Sequence, residues 1–240
     1  MKNYSIMLKP ASSLCDLRCR YCFYADVAAR RSVRSFGMMQ DSVLRRIMEN
    51  IARSVAPGDH ITLMFQGGEP MLAGLDFFRT LTEIADSWPS GISVSYALQT
   101  NAMHLDEAWC LFLKKHEFLV GVSHDLLAAQ HNAARVDASG APTMQRVERS
   151  ISLLRKHDIA FNVLCTLTNP LARPPAAGLE ADRTAESPVC AVHAVSGISG
   201  ANGKKPMGDH AGAFCELLQW ALSALAGRSP RRTLPQHQTV

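Results

Sequence analysis

The sequence has no apolar run near the ~18 to 20 consecutive residues that a membrane span requires. Its opening, MKNYSIMLKP, also lacks the apolar core of a secretion signal, so the expected compartment is the cytoplasm. Charge of one sign is scarce: 25 basic residues against 21 acidic ones leave a formal charge of +4, and the basic residues are spread along the chain. Aromatics make up only 7% and do not alternate with the basic residues, so nothing here points to nucleic acid. No internal repeat is present. What the chain does have is 47% hydrophobic residues in 240, enough for one sizeable core or a core with a small appendage.

A disulfide framework is missing too, since the seven cysteines are odd in number and the expected compartment is reducing. Cys110, Cys165, Cys190 and Cys215 stand alone and read as small buried hydrophobes. The other three fall within eight residues, in Leu14-Cys15-Asp16-Leu17-Arg18-Cys19-Arg20-Tyr21-Cys22-Phe23-Tyr24.

Short β-branched or aromatic runs predict strands at Ser5 to Leu8, Ile61 to Phe65, Ile92 to Leu98, Phe118 to Val122 and Ile159 to Leu167. Helical periodicities lie between them. Val43, Ile47, Ile51 and Val55 follow Asp41, a candidate N-cap; Phe77, Phe78, Leu81 and Ile84 precede Trp88-Pro89; Trp109, Phe112, Leu113 and His116 follow Asp106. Met144, Val147, Ile151 and Leu154 follow Thr143, a second candidate cap. Five strands alternating with four helices predict an α/β fold with parallel strands joined by helical crossovers. In such units the functional loops lie at the carboxyl ends of the strands. The cysteine cluster follows strand one, Gln66-Gly67-Gly68-Glu69-Pro70 strand two, Gln99-Thr100-Asn101 strand three, and Ser123 ends strand four. Four sets of special residues therefore converge on one rim.

The regular pattern fills residues 1–169. Residues 170–208 mix Pro, Gly, Ala and Ser without a period and read as irregular or disordered. Residues 209–226 read as a helix with Phe214, Leu217, Leu218, Ala221 and Leu225 on its apolar side, and 227–240 as a frayed basic tail.

Thiolates are soft ligands suited to iron-sulfur clusters and to zinc. A structural zinc site is usually closed by four protein ligands, and no fourth cysteine or histidine lies near these three. Three thiolates on a four-iron cluster leave one iron open to a small molecule; zinc with a ligand from outside the chain is the alternative.

The C-x3-C-x2-C spacing with Tyr21 before the last cysteine, followed by Gly67-Gly68-Glu69-Pro70 after strand two, resembles the signature of the radical S-adenosylmethionine (SAM) superfamily. The resemblance implies a partial (β/α) barrel of radical SAM type. It also implies a 4Fe-4S cluster on Cys15, Cys19 and Cys22, with SAM bound at the open iron and the Glu69 carboxylate near its ammonium group. From Lys9 to Asn169 the chain resembles, more narrowly, the anaerobic sulfatase-maturating enzymes. That resemblance rests on Lys9-Pro10, Tyr21-Cys22-Phe23-Tyr24, Phe65-Gln66-Gly67-Gly68-Glu69-Pro70-Met71-Leu72, Gln99-Thr100-Asn101, Gly121-Val122-Ser123, His131, Arg135, Thr143 and Phe161-Asn162-Val163-Leu164. It implies SAM contacts at Tyr21, Gly67, Gly68, Glu69, Pro70, Ser123 and Arg135, with Gln66, Gln99 and Asn101 facing the same cavity. The partners it implies are a sulfatase polypeptide, whose Cys or Ser becomes formylglycine, and an electron donor such as flavodoxin or ferredoxin.

The chain departs from that pattern at Ala102, where the family has Gly, and at His124-Asp125-Leu126-Leu127. Beyond Asn169 the family's sixth βα unit and cysteine-rich domain with auxiliary clusters have no counterpart in the sequence, which reads as a truncated core. Three functions stay open on these grounds: an active maturase, a cluster- and SAM-binding fragment without protein-modifying activity, and a non-catalytic metal-binding module.

Overall fold

The computed structural model describes residues 1–125, 127–167 and 190–197. Five strands, β1 (Asn3–Leu8), β2 (His60–Phe65), β3 (Ser93–Thr100), β4 (Leu119–Ser123) and β5 (Phe161–Leu167), lie side by side in chain order, every neighbouring pair parallel. The registers Leu8↔Phe65, Phe65↔Leu98, Thr100↔Val122 and Ser123↔Leu164 bring the carboxyl ends of the strands to one rim. This is the parallel α/β architecture that the alternation predicts. Strand bounds shift by at most two residues from those predicted; Gln99 and Thr100 belong to β3 itself, and Ile159 precedes β5.

The sixth strand differs from expectation. β6 (Cys190–Gly197) lies within the stretch that reads as irregular, and it pairs antiparallel with β5, from Phe161↔Gly197 to Leu167↔Cys190. The segment CAVHAVSG contains two β-branched valines, Val192 and Val195, but three residues apart they show no period-two alternation, and Pro, Gly and Ser surround them. The edge of β5 supplies the backbone partners that such a segment lacks alone. The remainder of 170–208, the helix at 209–226 and the tail at 227–240 lie outside the described residues.

The helices are α1 (Phe23–Ala29), α2 (Asp41–Ser54), α3 (Leu75–Asp86), α4 (Glu107–Lys115), α5 (Ala128–Ala134) and α6 (Met144–Lys156), with a 3₁₀ turn at Pro70–Ala73. The Asp106 side chain caps α4 by accepting from Trp109 N at 2.8 Å, and Lys114 and Lys115 close its last turn, so both ends suit the helix dipole. The two predicted caps, Asp41 and Thr143, are corrected. Gln40, not Asp41, precedes α2 and makes no side-chain cap; Asp41 is the first helical residue and pairs with Arg45 one turn on. Thr143 does precede α6, but its hydroxyl donates to the Arg135 carbonyl at 2.7 Å instead of capping.

The core lies between sheet and helices. Phe65, Phe78 and Phe118 are fully buried at its centre, where Phe78 meets Trp109 edge-on and Tyr96 stacks on Phe118 with ring centres 4.8 Å apart. Met144, Val147, Ile151 and Leu154 face inward from α6 as their spacing predicts. In α2 the inward residues are Leu44, Met48 and Ile51, while Val43 is exposed. Two short helices escaped the periodicity altogether. α1 and α5 span seven residues each, and both stand at the rim that carries the site.

Candidate functional site: a three-thiol loop on the strand-end rim

The loop after β1 is gripped from two sides. On one side Glu69 N donates to the Leu14 carbonyl at 2.8 Å, docking the β2 loop onto it. That approach requires glycine: Gly68 has φ +58, and a Cβ there would run into the Leu14 carbonyl oxygen. Gly67, at φ +100, leaves room for the Lys9 side chain, whose Cδ would stand 3.0 Å from an added Cβ. On the other side Arg18 N donates to Val136 O at 2.7 Å and Arg20 N to Ala134 O at 3.0 Å, stitching the loop to the last residue of α5 and the segment after it.

Cys15, Cys19 and Cys22 are free and half-buried on this loop. Cys22 caps α1, its sulfur accepting from Ala25 N at 3.4 Å. The Cys15 sulfur accepts from Leu17 N at 3.4 Å and from Asn101 Nδ2 at 3.7 Å. Burial pushes the Cys15 thiol up to about 12 and raises Cys19 as well, the latter against the opposing pull of the Arg135 charge. Thiols buried this way ionise readily only when a cation replaces the proton. The donor set therefore fits a metal cluster: three sulfurs on one loop, those of Cys15 and Cys22 with N–H donors of the sort that stabilises cluster thiolates. Among the described residues no three His, Cys, Asp or Glu side chains are grouped to hold a single metal ion. A cube carrying each thiolate on a different iron asks for wider spacing than one ion does.

Glu69 is 1% exposed. Its Oε1 accepts from Met71 N at 3.0 Å and from the Thr100 hydroxyl at 2.7 Å, and its Oε2 accepts from Asn101 N at 2.7 Å. The carboxylate expected beside an ammonium group is thus turned inward, tying the β2 loop to the end of β3. Burial raises its pKa to about 7, with the three donors pulling the other way. Pro70 opens the 3₁₀ turn directly after it. Gly68, half-buried, is the more open part of this motif.

Asn101 reaches the cysteine loop through Asp16, donating to Oδ1 at 2.7 Å, while His104 Nε2 stands 3.2 Å from Oδ2. Burial pushes Asp16 up, but hydrogen bonds from His104 and Asn101 outweigh it and leave the carboxyl below its usual range; the same contact raises His104. Ala102, where a glycine was expected, keeps the left-handed backbone at φ +59. Its N–H donates to the Thr100 hydroxyl at 2.9 Å and its carbonyl accepts from Ser150 at 2.6 Å, bonds that hold an alanine in a conformation it rarely adopts.

Ser123 ends β4 and accepts from Gln99 Nε2 at 3.1 Å. Gly121 is the reason Gln99 can lie there, since a Cβ at 121 would collide with Gln99 Oε1. Arg135 is buried and forms a two-pronged pair with Asp125, Nε to Oδ2 and Nη2 to Oδ1, each at 3.0 Å. Its guanidinium lies 5.2 Å from the centre of the Tyr21 ring, and the Tyr21 hydroxyl donates to Asp125. His131 is fully buried: Nδ1 accepts from Asp125 N at 3.2 Å and Nε2 lies 3.1 Å from the Thr143 hydroxyl. Because that hydroxyl donates to Arg135 O, Nε2 carries the proton, and burial lowers the ring to about 4, so it is neutral and structural.

The structure thus brings Cys15, Cys19, Cys22, Tyr21, Gly67, Gly68, Glu69, Pro70, Ser123 and Arg135 to one rim. Sequence reasoning missed Asp125, which appeared only as part of a departure, together with Asp16 and His104. An acidic residue two positions past a strand end was the signal available for the first.

Residues 10–170 match the Radical SAM superfamily. The chain belongs to that superfamily. Radical SAM chemistry uses a 4Fe-4S cluster and SAM, and the three thiols on the β1 loop are the only clustered cysteines available to hold such a cluster among the described residues. The cysteine-type anaerobic sulfatase-maturating enzyme of Clostridium perfringens (strain 13 / Type A) is 41% identical over 174 residues, covering 72% of this chain and 46% of the relative. The serine-type enzyme of Klebsiella aerogenes is 33% identical over 176 residues, covering 72% and 42%. A solved structure of native anSMEcpe with bound AdoMet and a Cp18Cys peptide superposes with a TM-score of 0.64 at 40% identity, covering 71% of this chain and 45% of that one. The match therefore spans less than half the length of both of these curated relatives. No helix among the described residues is long and apolar enough to cross a membrane.

Proposed function

We propose that this chain reductively cleaves SAM and directs the resulting radical to a Cys or Ser of a sulfatase polypeptide, the oxidation that yields formylglycine. The observation that carries the reading is the three-thiol loop locked, through Gly68 and Glu69, against the ends of β2 and β3, beside Ser123 and Arg135. When bound, the reduced cluster supplies the electron that splits SAM into methionine and a 5′-deoxyadenosyl radical. Cys15, Cys19 and Cys22 hold the cluster. The Gly67-Gly68 backbone, Ser123, Arg135 and Tyr21 orient SAM, while Glu69 and Pro70 shape the loop that meets it. The sulfatase substrate is read from the relatives at 33% and 41% identity. An acidic one-electron donor of the flavodoxin or ferredoxin kind suits the exposed Arg18, Arg20, Arg30, Arg31 and Arg34 around the loop.

The test is anaerobic reconstitution, followed by iron and sulfide analysis, then incubation with SAM, a strong reductant and a sulfatase-derived peptide. Four irons per chain, 5′-deoxyadenosine and a formylglycine mass on the peptide are expected. SAM cleavage without peptide oxidation would reduce the reading to a cluster- and SAM-binding core. Bound zinc in place of iron would overturn it in favour of a metal-binding module.

A further inference from the structure

Asp125 stands where three elements meet and is 2% exposed. It accepts from the Tyr21 hydroxyl on the cysteine loop, from Arg135 Nε and Nη2 after α5, and from Thr166 N on β5 at 3.1 Å. Its own N–H donates to His131, so the residue is fixed at both backbone and side chain. Arg135 in turn reaches Thr166 Oγ1 at 3.4 Å and lies over the Tyr21 ring, two residues from Cys19, and its charge opposes the rise that burial imposes on the Cys19 thiol. A buried ion pair persists when its geometry is good and the remaining donors and acceptors are satisfied, and this one meets both conditions. The consequence is a cation held beside the thiol loop by a carboxylate that also holds Tyr21, the residue next to Cys22 and two from Cys19.

We propose that Asp125 is a positioning residue for the cluster loop: by clamping Tyr21 and Arg135 it fixes the guanidinium beside the loop and sets the net charge that Cys19 meets. The inference rests on the cluster-binding reading above. The two functions of Asp125 separate by substitution. Asp125→Asn keeps the shape and an acceptor for Tyr21 but removes the negative charge, leaving the guanidinium uncompensated beside the loop. Extra positive charge favours the electron-rich state, so the midpoint potential of the reconstituted cluster moves positive. Tyr21→Phe removes one hydrogen bond and no charge, so the potential stays while the loop loosens.

The experiment takes both variants and the unaltered protein through two readouts. The first, on apoprotein, follows the rate of iodoacetamide labelling at Cys19 and at Cys22, resolved by peptide mass. Several-fold faster labelling at Cys19 in both variants, with Cys22 little changed, is expected. The second is the cluster midpoint potential by anaerobic titration followed by electron paramagnetic resonance, with a positive shift expected in Asp125→Asn alone. Unchanged Cys19 labelling together with an unchanged potential would reduce Asp125 to a tie between strands and overturn the proposal. Should Asp125→Asn fail to fold, Cys19 labelling in Tyr21→Phe decides the positioning claim unaided. Failure of the unaltered chain to take up iron would sink the underlying function instead, and the apoprotein labelling would still judge the clamp.

Discussion

Gly68 and Glu69 sit next to each other in one motif, yet the physical demands on them differ. At Gly68 the demand is steric: φ +58 and the Leu14 carbonyl oxygen exclude any side chain. Gly68→Ala should cost at least about 1–2 kcal/mol from the left-handed backbone, with the collision added. Gly140→Ala, at φ +83 with nothing within 4 Å, should cost the backbone part alone. Urea unfolding of both variants checks the difference, and iron uptake should fall only in the first. At Glu69 the demand is electrostatic. Its pKa is about 7 in the fold against 4.5 for the free group, so between those values the folded state holds the extra proton. By linkage its contribution to stability is full below about 4.5 and declines as pH rises through about 7. The variant Glu69→Gln should therefore show a less negative slope of stability against pH in that window, and carbon-13 NMR of the Glu69 carboxyl should titrate near 7. The glycines, the cysteines and the glutamate were all legible in the sequence as a candidate site. That the carboxylate faces inward was not, because its partners Thr100 and Asn101 lie more than thirty residues away and meet it only when the sheet forms.

α2 explains where reading elements from sequence succeeds and where it slips. Its register of apolar residues offers two overlapping stripes, Val43-Ile47-Ile51-Val55 and Leu44-Met48-Ile51, and periodicity alone does not rank them. The sheet ranks them: Leu44 and Met48 are fully buried, whereas Val43 is 47% exposed and lines a surface cavity of about 580 Å³ between α1, α2 and the loop joining them. Leu44→Ala should thus destabilise by about 2–5 kcal/mol, and Val43→Ala by no more than about 0.5 kcal/mol, in denaturant titrations. In α6, where only one apolar stripe is present, sequence and structure agree. The five parallel strands were legible because β-branched runs alternate with helical ones. Helices α1 and α5 were not, since seven residues held by loop contacts carry too few turns for a period to show. β6 was hidden for a related reason, its pairing partner being β5 and not a sequence neighbour.

At the scale of the molecule, the candidate site belongs to no single element. The thiols come from the loop after β1, Gly68 from the loop after β2, Gln99 and Asn101 from the end of β3, Ser123 and Asp125 from the end of β4, and Arg135 from the segment after α5. Nothing short of the assembled sheet brings these groups to one rim, so the cluster and SAM should bind the folded chain and scarcely the unfolded one. A ligand with that preference stabilises by RT ln(1 + [L]/Kd), about 2.7 kcal/mol at one hundred times Kd. For a folded unit of this size that corresponds to a rise of roughly 5–11 °C in melting temperature. Differential scanning of the reconstituted protein under anaerobic conditions, with and without saturating SAM, should show that rise. The same scan on a Cys19→Ala variant, and on apoprotein, should show little or none, because the open iron that takes SAM is then missing. A SAM-dependent rise of equal size in apoprotein would mean that the nucleoside binds without the cluster, and the thiol loop would lose its place at the centre of the site.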